Sequence, residues 1–191
     1  MINKRAIFLC GSGGSGKSTI YQNYFSDYVV VDVDILYEKL LNEYGLGLDI
    51  KNFNFEQIEL SNSLFEKAKQ LNNEKFNEYV SENKNIVVDG VGRDVEVILN
   101  QRNLLEKCGY TTYMIMVYAD IDVCIERVEN RNRSYSKRLV IDSWHESYRN
   151  ISEYKEQFKD RFLLVHNDEI NDWKSKFQIF INKQSKNKAI I

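Results

Sequence analysis

The most informative part of the chain reads Gly11-Ser12-Gly13-Gly14-Ser15-Gly16-Lys17-Ser18. It follows the apolar run Ala6 to Cys10 and leads directly into a helical pattern that extends from Lys17 to Phe25. A short apolar run predicts a buried strand, and the glycines predict a tight loop between that strand and the helix. The loop satisfies the pattern G-x-x-x-x-G-K-[ST] in full and in the strand–loop–helix context that the pattern requires.

Outward from this loop, strand-like runs alternate with helical patterns along the whole chain, which predicts the α/β class with a parallel sheet. We expect a three-layer sandwich in which helices cover both faces of five buried strands. The predicted strands are Ala6 to Cys10, Tyr28 to Val33, Asn85 to Asp89, Thr112 to Tyr118 and Phe162 to His166.

Apolar periodicity predicts the helices between these strands. One long helix or a bent pair is expected from Glu56 to Asn83, and a shorter helix from Ile35 to Tyr44. Asp120 is a plausible N-cap for a helix carrying Cys124 and Ile125. Further apolar stripes predict helices around Val95 to Leu105, Ile141 to Ile151, and Trp173 to Phe180.

Length and composition limit the classes of protein that this chain can represent. Its 191 residues predict a single domain, 1–191, with a helical insertion at about 35–84 and a lid at about 130–138. The net charge of −2 gives no global electrostatic reason to bind nucleic acid. No apolar run approaches the roughly 20 residues of a membrane span, and three scattered cysteines suggest a reducing, cytoplasmic compartment.

The glycine-rich loop predicts a binding site for nucleotide phosphates. Its glycines let successive backbone N–H groups point at phosphate oxygens, and the following helix adds its positive end. Lys17 is expected to reach the β- and γ-phosphates of ATP, and the hydroxyl of Ser18 to bind Mg²⁺. The predicted nucleotide-binding residues are Gly11, Ser12, Gly13, Gly14, Ser15, Gly16, Lys17, Ser18 and Thr19.

Two carboxylates, Asp32 and Asp34, follow the second predicted strand. Carboxyl ends of parallel strands face the ligand crevice, so both side chains are expected opposite the phosphate loop. We predict that Asp34 is the base that accepts the proton of an attacking hydroxyl, with Asp32 supporting substrate or metal. The alternative is that Asp34 only caps the following helix.

A second acidic strand end is Val88-Asp89-Gly90, the pattern whose carboxylate holds Mg²⁺ directly or through water. Arg93 follows closely, where a guanidinium suits a phosphate-bearing or sugar-nucleotide substrate. The predicted substrate contacts are Asp32, Asp34, Asp89, Gly90 and Arg93, and an exposed ion pair is the alternative role for Arg93.

Arginines cluster between two later helical patterns, which predicts a lid over the transferring phosphoryl group. Arg127 and Arg131 are spaced to share one helix face, and Arg133 follows in a Ser/Tyr loop. We predict a nucleotide contact for Arg127 and charge neutralisation by Arg131 or Arg133. Neighbouring glutamates offer the alternative of helix ion pairs.

These motifs together resemble the zeta-toxin and polynucleotide-kinase branch of P-loop kinases, a group of enzymes that is common in bacteria and bacteriophages. The resemblance rests on Gly11 to Ser18, Asp32 to Asp34, Val88 to Asp94, Ile121 to Arg133, and Leu164 to Asp168. It implies strand order 2-3-1-4-5, a general base at Asp34, and ATP with Mg²⁺ as cofactors. Val91 departs from the family pattern, because many relatives carry Thr there.

The sequence predicts a phosphotransferase but leaves its acceptor open. A nucleoside, a nucleotide, a sugar nucleotide and a nucleic-acid end or modified base are all compatible, and we favour a small molecule. Two other classes remain: a GTPase-like switch, since Asp89 to Gly92 fits D-x-x-G, and a nucleotide-binding or ATPase module without transfer. No guanine-reading Asn-Lys-x-Asp follows the fourth strand, which disfavours the switch.

Overall fold

The computed structural model describes residues 4–130 and 136–167, together with positions 175, 177, 179 and 180. The strands are β1 (Arg5–Cys10), β2 (Val29–Val31), β3 (Ile86–Gly90), β4 (Thr111–Tyr118) and β5 (Phe162–His166). The helices are α1 (Lys17–Tyr24), α2 (Val33–Glu43), α3 (Phe55–Ser81), α4 (Val95–Lys107), α5 (Ile121–Glu129), α6 (Lys137–Tyr148) and α7 (Ile151–Phe158). Short 3-10 turns lie at Ile50–Asn52 and Lys159–Arg161.

The strands form one five-stranded sheet in the order β2-β3-β1-β4-β5, and every neighbouring pair is parallel. This confirms the predicted strand order and the all-parallel arrangement. β1 lies in the centre, with Leu9 beside Asp89 of β3 and Ile115 of β4. The phosphate-loop motif and the acidic end of β3 therefore emerge side by side at one edge of the sheet.

Apolar residues of β1 alternate between two cores, one on each face of the sheet. Ala6, Phe8 and Cys10 pack on one side with aromatic residues of α7, including Tyr154 and Phe158. On the other side, neighbouring β1 residues pack with Ile20 and Phe25 and with Phe177. Burial on both faces explains why the strand reads as a continuous apolar run.

The boundary between β2 and α2 differs from the prediction. β2 ends at Val31 instead of Val33, and α2 begins at Val33 instead of Ile35. Asp32 takes the N-cap position, where its carboxylate accepts a hydrogen bond from the N–H of Asp34 at 2.7 Å. A cap outweighs the strand preference of the valines here because it satisfies an otherwise unpaired helical N–H.

One helix prediction is confirmed in position only, and another needs correction. Asp120 occupies the N-cap position of α5 as predicted, but its side chain makes no capping bond and accepts a hydrogen bond from the Tyr118 hydroxyl instead. The stripe from Ile141 to Ile151 is divided between α6 and α7, which are separated at Arg149 and Asn150. The last predicted helix, Trp173 to Phe180, lies largely outside the described residues.

The segment between β2 and β3 folds as a hairpin of α2 and α3. The predicted region from Glu56 to Asn83 is a single 27-residue helix, started by a capping box between Asn54 and Gln57. The hydroxyls of Tyr37 and Ser61 are joined by a buried 2.6 Å hydrogen bond between the two helices. None of the helices described in the structure is apolar enough over sufficient length to cross a membrane.

Candidate active site

The glycine-rich loop connects β1 to α1 at the carboxyl edge of the sheet. Its first N–H, from Gly11, donates to the carbonyl of Gly90 at 3.2 Å, which ties the loop to the end of β3. Gly16 occupies the N-cap position of α1 with φ +96°. The helix therefore begins at Lys17 with its positive end directed at the loop, the arrangement that binds phosphate in such motifs.

Close packing explains two of the glycines. A Cβ on Gly14, which has φ +82°, would lie 2.4 Å from the carbonyl oxygen of Cys124 in α5. A Cβ on Gly16 would lie 2.0 Å from the side-chain nitrogen of Asn167. The loop is thus held between α5 and the end of β5. At Gly14 the backbone of Cys124 leaves no room for a side chain, whereas at Gly16 the side chain of Asn167 would have to shift, and the positive φ at both positions favours glycine.

Lys17 turns back over the loop from the first turn of α1. Its ammonium donates to the carbonyl oxygens of Gly11 at 2.8 Å and Ser12 at 3.2 Å. These contacts hold the cation above the loop, where the sequence predicts that it meets the β- and γ-phosphates.

Asp89 carries a buried carboxyl group beside this lysine. Its Oδ1 is buried and has no hydrogen-bond partner within the part of the chain that the structure describes. Burial raises the pKa of Asp89 to about 7, Lys17 lowers it, and the charges of Asp32 and Asp34 raise it. An unpaired buried carboxyl oxygen is costly to maintain, which suggests that it has a ligand to bind.

Asp32 and Asp34 differ in what their side chains can do. Asp32 serves as the cap of α2, and burial followed by the charge of Asp34 raises its pKa. Asp34 lies in the first turn of α2 and is exposed.

Tyr21 of α1 lies near the same carboxylates and was not predicted for this site. Burial, followed by the charges of Asp32 and Asp89, raises the pKa of its hydroxyl.

The residues at this edge fit a magnesium ion. Ser18 presents an exposed hydroxyl in the first turn of α1, and Asp89 offers its unpaired oxygen. No three His, Cys, Asp or Glu side chains in the described parts of the chain are grouped to hold a metal unaided. Mg²⁺ at phosphate sites needs no such group, because it takes one or two protein oxygens and completes its shell with phosphates and water.

Arg93 lies just beyond β3, in the turn that leads to α4. Its guanidinium forms an ion pair with Glu146 of α6 at 3.4 Å, and its side chain is 61% exposed. The ion pair that the sequence left open as an alternative is therefore present, while the exposure leaves the guanidinium accessible to a bound substrate.

Arg127 contacts the outer side of the loop from the last turn of α5. It donates to the carbonyl oxygens of Gly14 at 3.3 Å and Asn167 at 3.1 Å. Arg127 therefore lies at the rim of the loop, and its nucleotide contact stays a prediction. Arg131 and Arg133, the predicted lid arginines, lie outside the described residues.

Several contacts at the site were missed from the sequence because they join residues far apart in the chain. The Tyr148 hydroxyl donates to the carbonyl of Val117 at 2.8 Å and accepts the Ser12 N–H at 3.4 Å. Asn167 donates its side-chain amide to the carbonyl of Ser15 at 2.8 Å. No local motif marks these residues, although Asn167 lies in the stretch Leu164 to Asp168, which carries part of the family resemblance.

Sheet order, loop geometry and the lysine beneath the helix end together define a P-loop nucleotide-binding fold of the kinase type. A family model described as an AAA domain matches residues 7–151, and the chain belongs to this family. A search of curated protein sequences found no match.

Solved structures support the same fold at low sequence identity. A proposed kinase from Chloroflexus aurantiacus is 16% identical with a TM-score of 0.64 over 98% of each chain. A component of the PezAT toxin–antitoxin system of Streptococcus pneumoniae is 20% identical, with a TM-score of 0.58 over 91% of this chain and 73% of that one. The AvrRxo1-ORF1:ORF2 structure with ATP is 15% identical, with a TM-score of 0.62 over 87% and 55%.

Proposed function

We propose that this protein is an ATP-dependent phosphotransferase that moves the γ-phosphoryl group to an acceptor hydroxyl. The observation that carries the proposal is that Lys17 interacts electrostatically with Asp32 and Asp89, and Asp34 with the same two carboxylates, at one edge of the sheet. A phosphate cradle facing a proton acceptor is the arrangement that phosphoryl transfer requires. The kinase named among the structural neighbours and the ATP-bound neighbour agree with it.

Asp34 is the proposed general base. Asp32 is engaged in capping α2, whereas Asp34 is exposed in the first helical turn. The Asp34 carboxylate accepts the proton of the acceptor hydroxyl as the hydroxyl oxygen attacks the γ-phosphorus in line. The bond from that phosphorus to the bridging β-oxygen breaks, and ADP leaves with the electron pair.

Lys17 and the N–H groups of the loop counter the negative charge that develops on the phosphate oxygens. Ser18 and Asp89 are the proposed holders of Mg²⁺, which supplies further neutralisation of phosphate charge when bound. Arg127 is proposed to contact the nucleotide, and Arg131 or Arg133 to close over the transferring group. Arg93 and Gly90 are proposed acceptor contacts.

The charges at the site favour a hydroxyl acceptor over a phosphate acceptor. Three carboxylates interact here: burial and then the charge of Asp34 raise the pKa of Asp32, while burial, with the charges of Asp32 and Asp34 in addition, raises the pKa of Asp89. A phosphate placed among them would meet like charge, and such contacts disfavour binding. A sugar or nucleoside hydroxyl avoids this repulsion, and we favour a small-molecule acceptor with the hairpin of α2 and α3 as its wall.

The finer placement in the zeta-toxin and polynucleotide-kinase branch is also part of the proposal. The motifs Gly11 to Ser18, Asp32 to Asp34 and Val88 to Asp94 support this placement, and the PezAT component shares the fold. Under this placement the domain covers residues 1–191, with its lid at about 130–138.

A screen with γ-labelled ATP and Mg²⁺ tests the proposal. Nucleosides, nucleotides, sugar nucleotides and 5′-hydroxyl oligonucleotides serve as acceptors, and we expect label on at least one of them. Lys17→Ala should reduce transfer by about 100-fold or more, because it removes the cation that meets the transferring phosphate.

Lys84→Ala is the matched control, since Lys84 is 51% exposed, pairs with the nearby Glu82, and lies before β3 at the edge of the sheet opposite the glycine-rich loop. That variant should keep full transfer. Tight GTP binding without transfer to any acceptor would favour the switch class, and ATP binding without transfer would favour a module that does not turn over.

A further inference from the structure

One continuous segment touches both sides of the site. It comprises residues 143–154, from the second half of α6 into α7, and is called the bridging segment below. Its side chains contact two loops. One is the glycine-rich loop Gly11 to Ser18, called the P-loop below, which is contacted at Ser12; the other is the turn after β3, which is contacted at Gly92 and Arg93. These two loops are separated in the sequence by α1, β2, α2, α3 and β3, so their contacts with one segment are a tertiary feature.

The P-loop end of the segment rests on two side chains. Ser143 places its hydroxyl 3.3 Å from the hydroxyl of Ser12. Tyr148 accepts the backbone N–H of Ser12 at 3.4 Å and anchors its own hydroxyl on the Val117 carbonyl at 2.8 Å. A displacement of Ser12 would therefore change its hydrogen bonds with the bridging segment.

The other end of the segment holds the acceptor-side turn. The hydroxyl of Tyr154, which is fully buried, donates to the carbonyl of Gly92 at 3.0 Å. Asn150 donates its side-chain amide to the same carbonyl at 3.2 Å and to that of Arg93 at 2.8 Å. Glu146 pairs with the Arg93 guanidinium at 3.4 Å.

Gly92 is confined from the opposite side as well. It has φ +79°, and a Cβ there would lie 3.0 Å from the Cβ of Cys10 at the end of β1. The turn is fixed between β1 and the bridging segment, so the direction of Arg93 depends on the bonds from Asn150 and Tyr154. No signal in the local sequence assigns these two residues a role.

We propose that Asn150 and Tyr154 are positioning residues that set the Gly92–Arg93 turn against the P-loop, and that the bridging segment couples nucleotide binding to this turn. The inference deepens the proposed function, because it rests on Ser12 lying at the nucleotide and Arg93 at the acceptor. It predicts that nucleotide binding at the P-loop changes the hydrogen exchange of the Gly92–Arg93 turn.

Hydrogen exchange of the 91–97 peptide tests this coupling. With the ATP analogue AMP-PNP and Mg²⁺, the wild-type protein should gain about fivefold protection at 91–97 as well as at 11–19. Tyr154→Phe should lose the gain at 91–97 while its dissociation constant for AMP-PNP stays within about twofold of wild type. A full gain in this variant, or protection of the wild type at 11–19 only, would overturn the inference.

Tyr110→Phe provides the matched control. Tyr110 is also buried and donates its hydroxyl to a backbone carbonyl, that of Tyr79, but it lies before β4 at the opposite edge of the sheet. This variant should keep the nucleotide-induced protection at 91–97. Loss of protection in both variants would mean a general loosening of the fold and would contradict a positioning role.

Two measurements separate this inference from the proposed function. Without nucleotide, Tyr148→Phe should speed exchange at 91–97 about fivefold, and unchanged exchange would refute the coupling even if no nucleotide binds. With an acceptor from the transfer screen, Tyr154→Phe should raise the acceptor KM about fivefold and leave the ATP KM within about twofold. Equal changes in both KM values would contradict the assignment.

Discussion

Asp89 illustrates how one residue can be unfavourable for folding and useful for binding. Its carboxyl oxygen is buried without a hydrogen-bond partner among the described residues, and burial raises its pKa to about 7. Removal of a carboxylate from water carries a cost that a bound cation would offset. The residue thus links the ionisation of the site to the stability of the chain.

The raised pKa of Asp89 predicts a specific pH dependence of stability. The folded chain binds this proton more tightly than the unfolded chain, so the contribution is complete below the ordinary pKa of 3.8 and is lost as the pH rises through about 7. Asp89→Asn removes this titration. Urea unfolding without Mg²⁺ should show the variant gaining about 2 kcal/mol or more over wild type between pH 4.5 and pH 8.

A parallel response in the two proteins across this range would contradict the assignment of the shift to Asp89. Asp94→Asn is a suitable control, because Asp94 is an exposed N-cap of α4 whose side chain accepts the N–H of Val97 at 3.1 Å. It should show no comparable gain at high pH.

Residue by residue, sequence reasoning identified side chains that act within a local motif. Lys17 and Asp89 were found because a spacing rule or a strand end marked them. Tyr148 and Tyr154 were missed, since each hydroxyl contacts a backbone atom distant in the chain. A tyrosine on an apolar helix stripe predicts burial alone, and its hydrogen-bond partner depends on tertiary packing.

Among the elements, α5 packs directly against the P-loop. The carbonyl oxygen of Cys124 lies where a side chain on Gly14 would begin, and Arg127 bonds to the carbonyl of Gly14 from the same helix. The loop conformation is therefore set by a packed neighbour in addition to its own glycines.

Gly14→Ala should separate packing from backbone conformation. The variant meets a backbone atom at 2.4 Å with φ +82°, so we expect a loss of about 2 kcal/mol or more in unfolding free energy and weakened nucleotide binding. Gly45→Ala is the matched control: φ is +73° and no atom lies within 4 Å of the added Cβ. It should cost only about 1 kcal/mol and leave nucleotide binding unchanged.

Nucleotide binding retained in Gly14→Ala would show that α5 yields to the added methyl group. Calorimetric titration with ADP and thermal unfolding measure both quantities on the same samples.

Element boundaries were predicted less well than the elements themselves. The apolar period identified β2 and α2, but the valines at positions 29, 30, 31 and 33 extend past the true end of the strand at Val31. The helix starts two residues early because Asp32 caps it, and a cap competes with strand propensity only in the folded context. The same context divides α6 from α7.

At the scale of the whole molecule, function follows from parallel strands that end at one edge. The P-loop follows β1, Asp89 lies near the end of β3, and β2 leads into the helix that carries Asp34. Alternating patterns were sufficient to predict the parallel sheet, while its order came from family resemblance. Neither the alternating pattern nor the family resemblance predicts the acceptor, because the side chains that determine substrate specificity follow no common spacing.

Asp34→Asn examines the proposed chemistry with little change in shape. γ-Phosphoryl transfer and ATP affinity are to be measured on the same preparations of wild type and variant, with the acceptor from the screen. We expect transfer to fall by about 100-fold or more while the ATP dissociation constant stays within about threefold. Unchanged transfer in the variant would contradict the assignment of Asp34 as the base and, with it, the proposed mechanism.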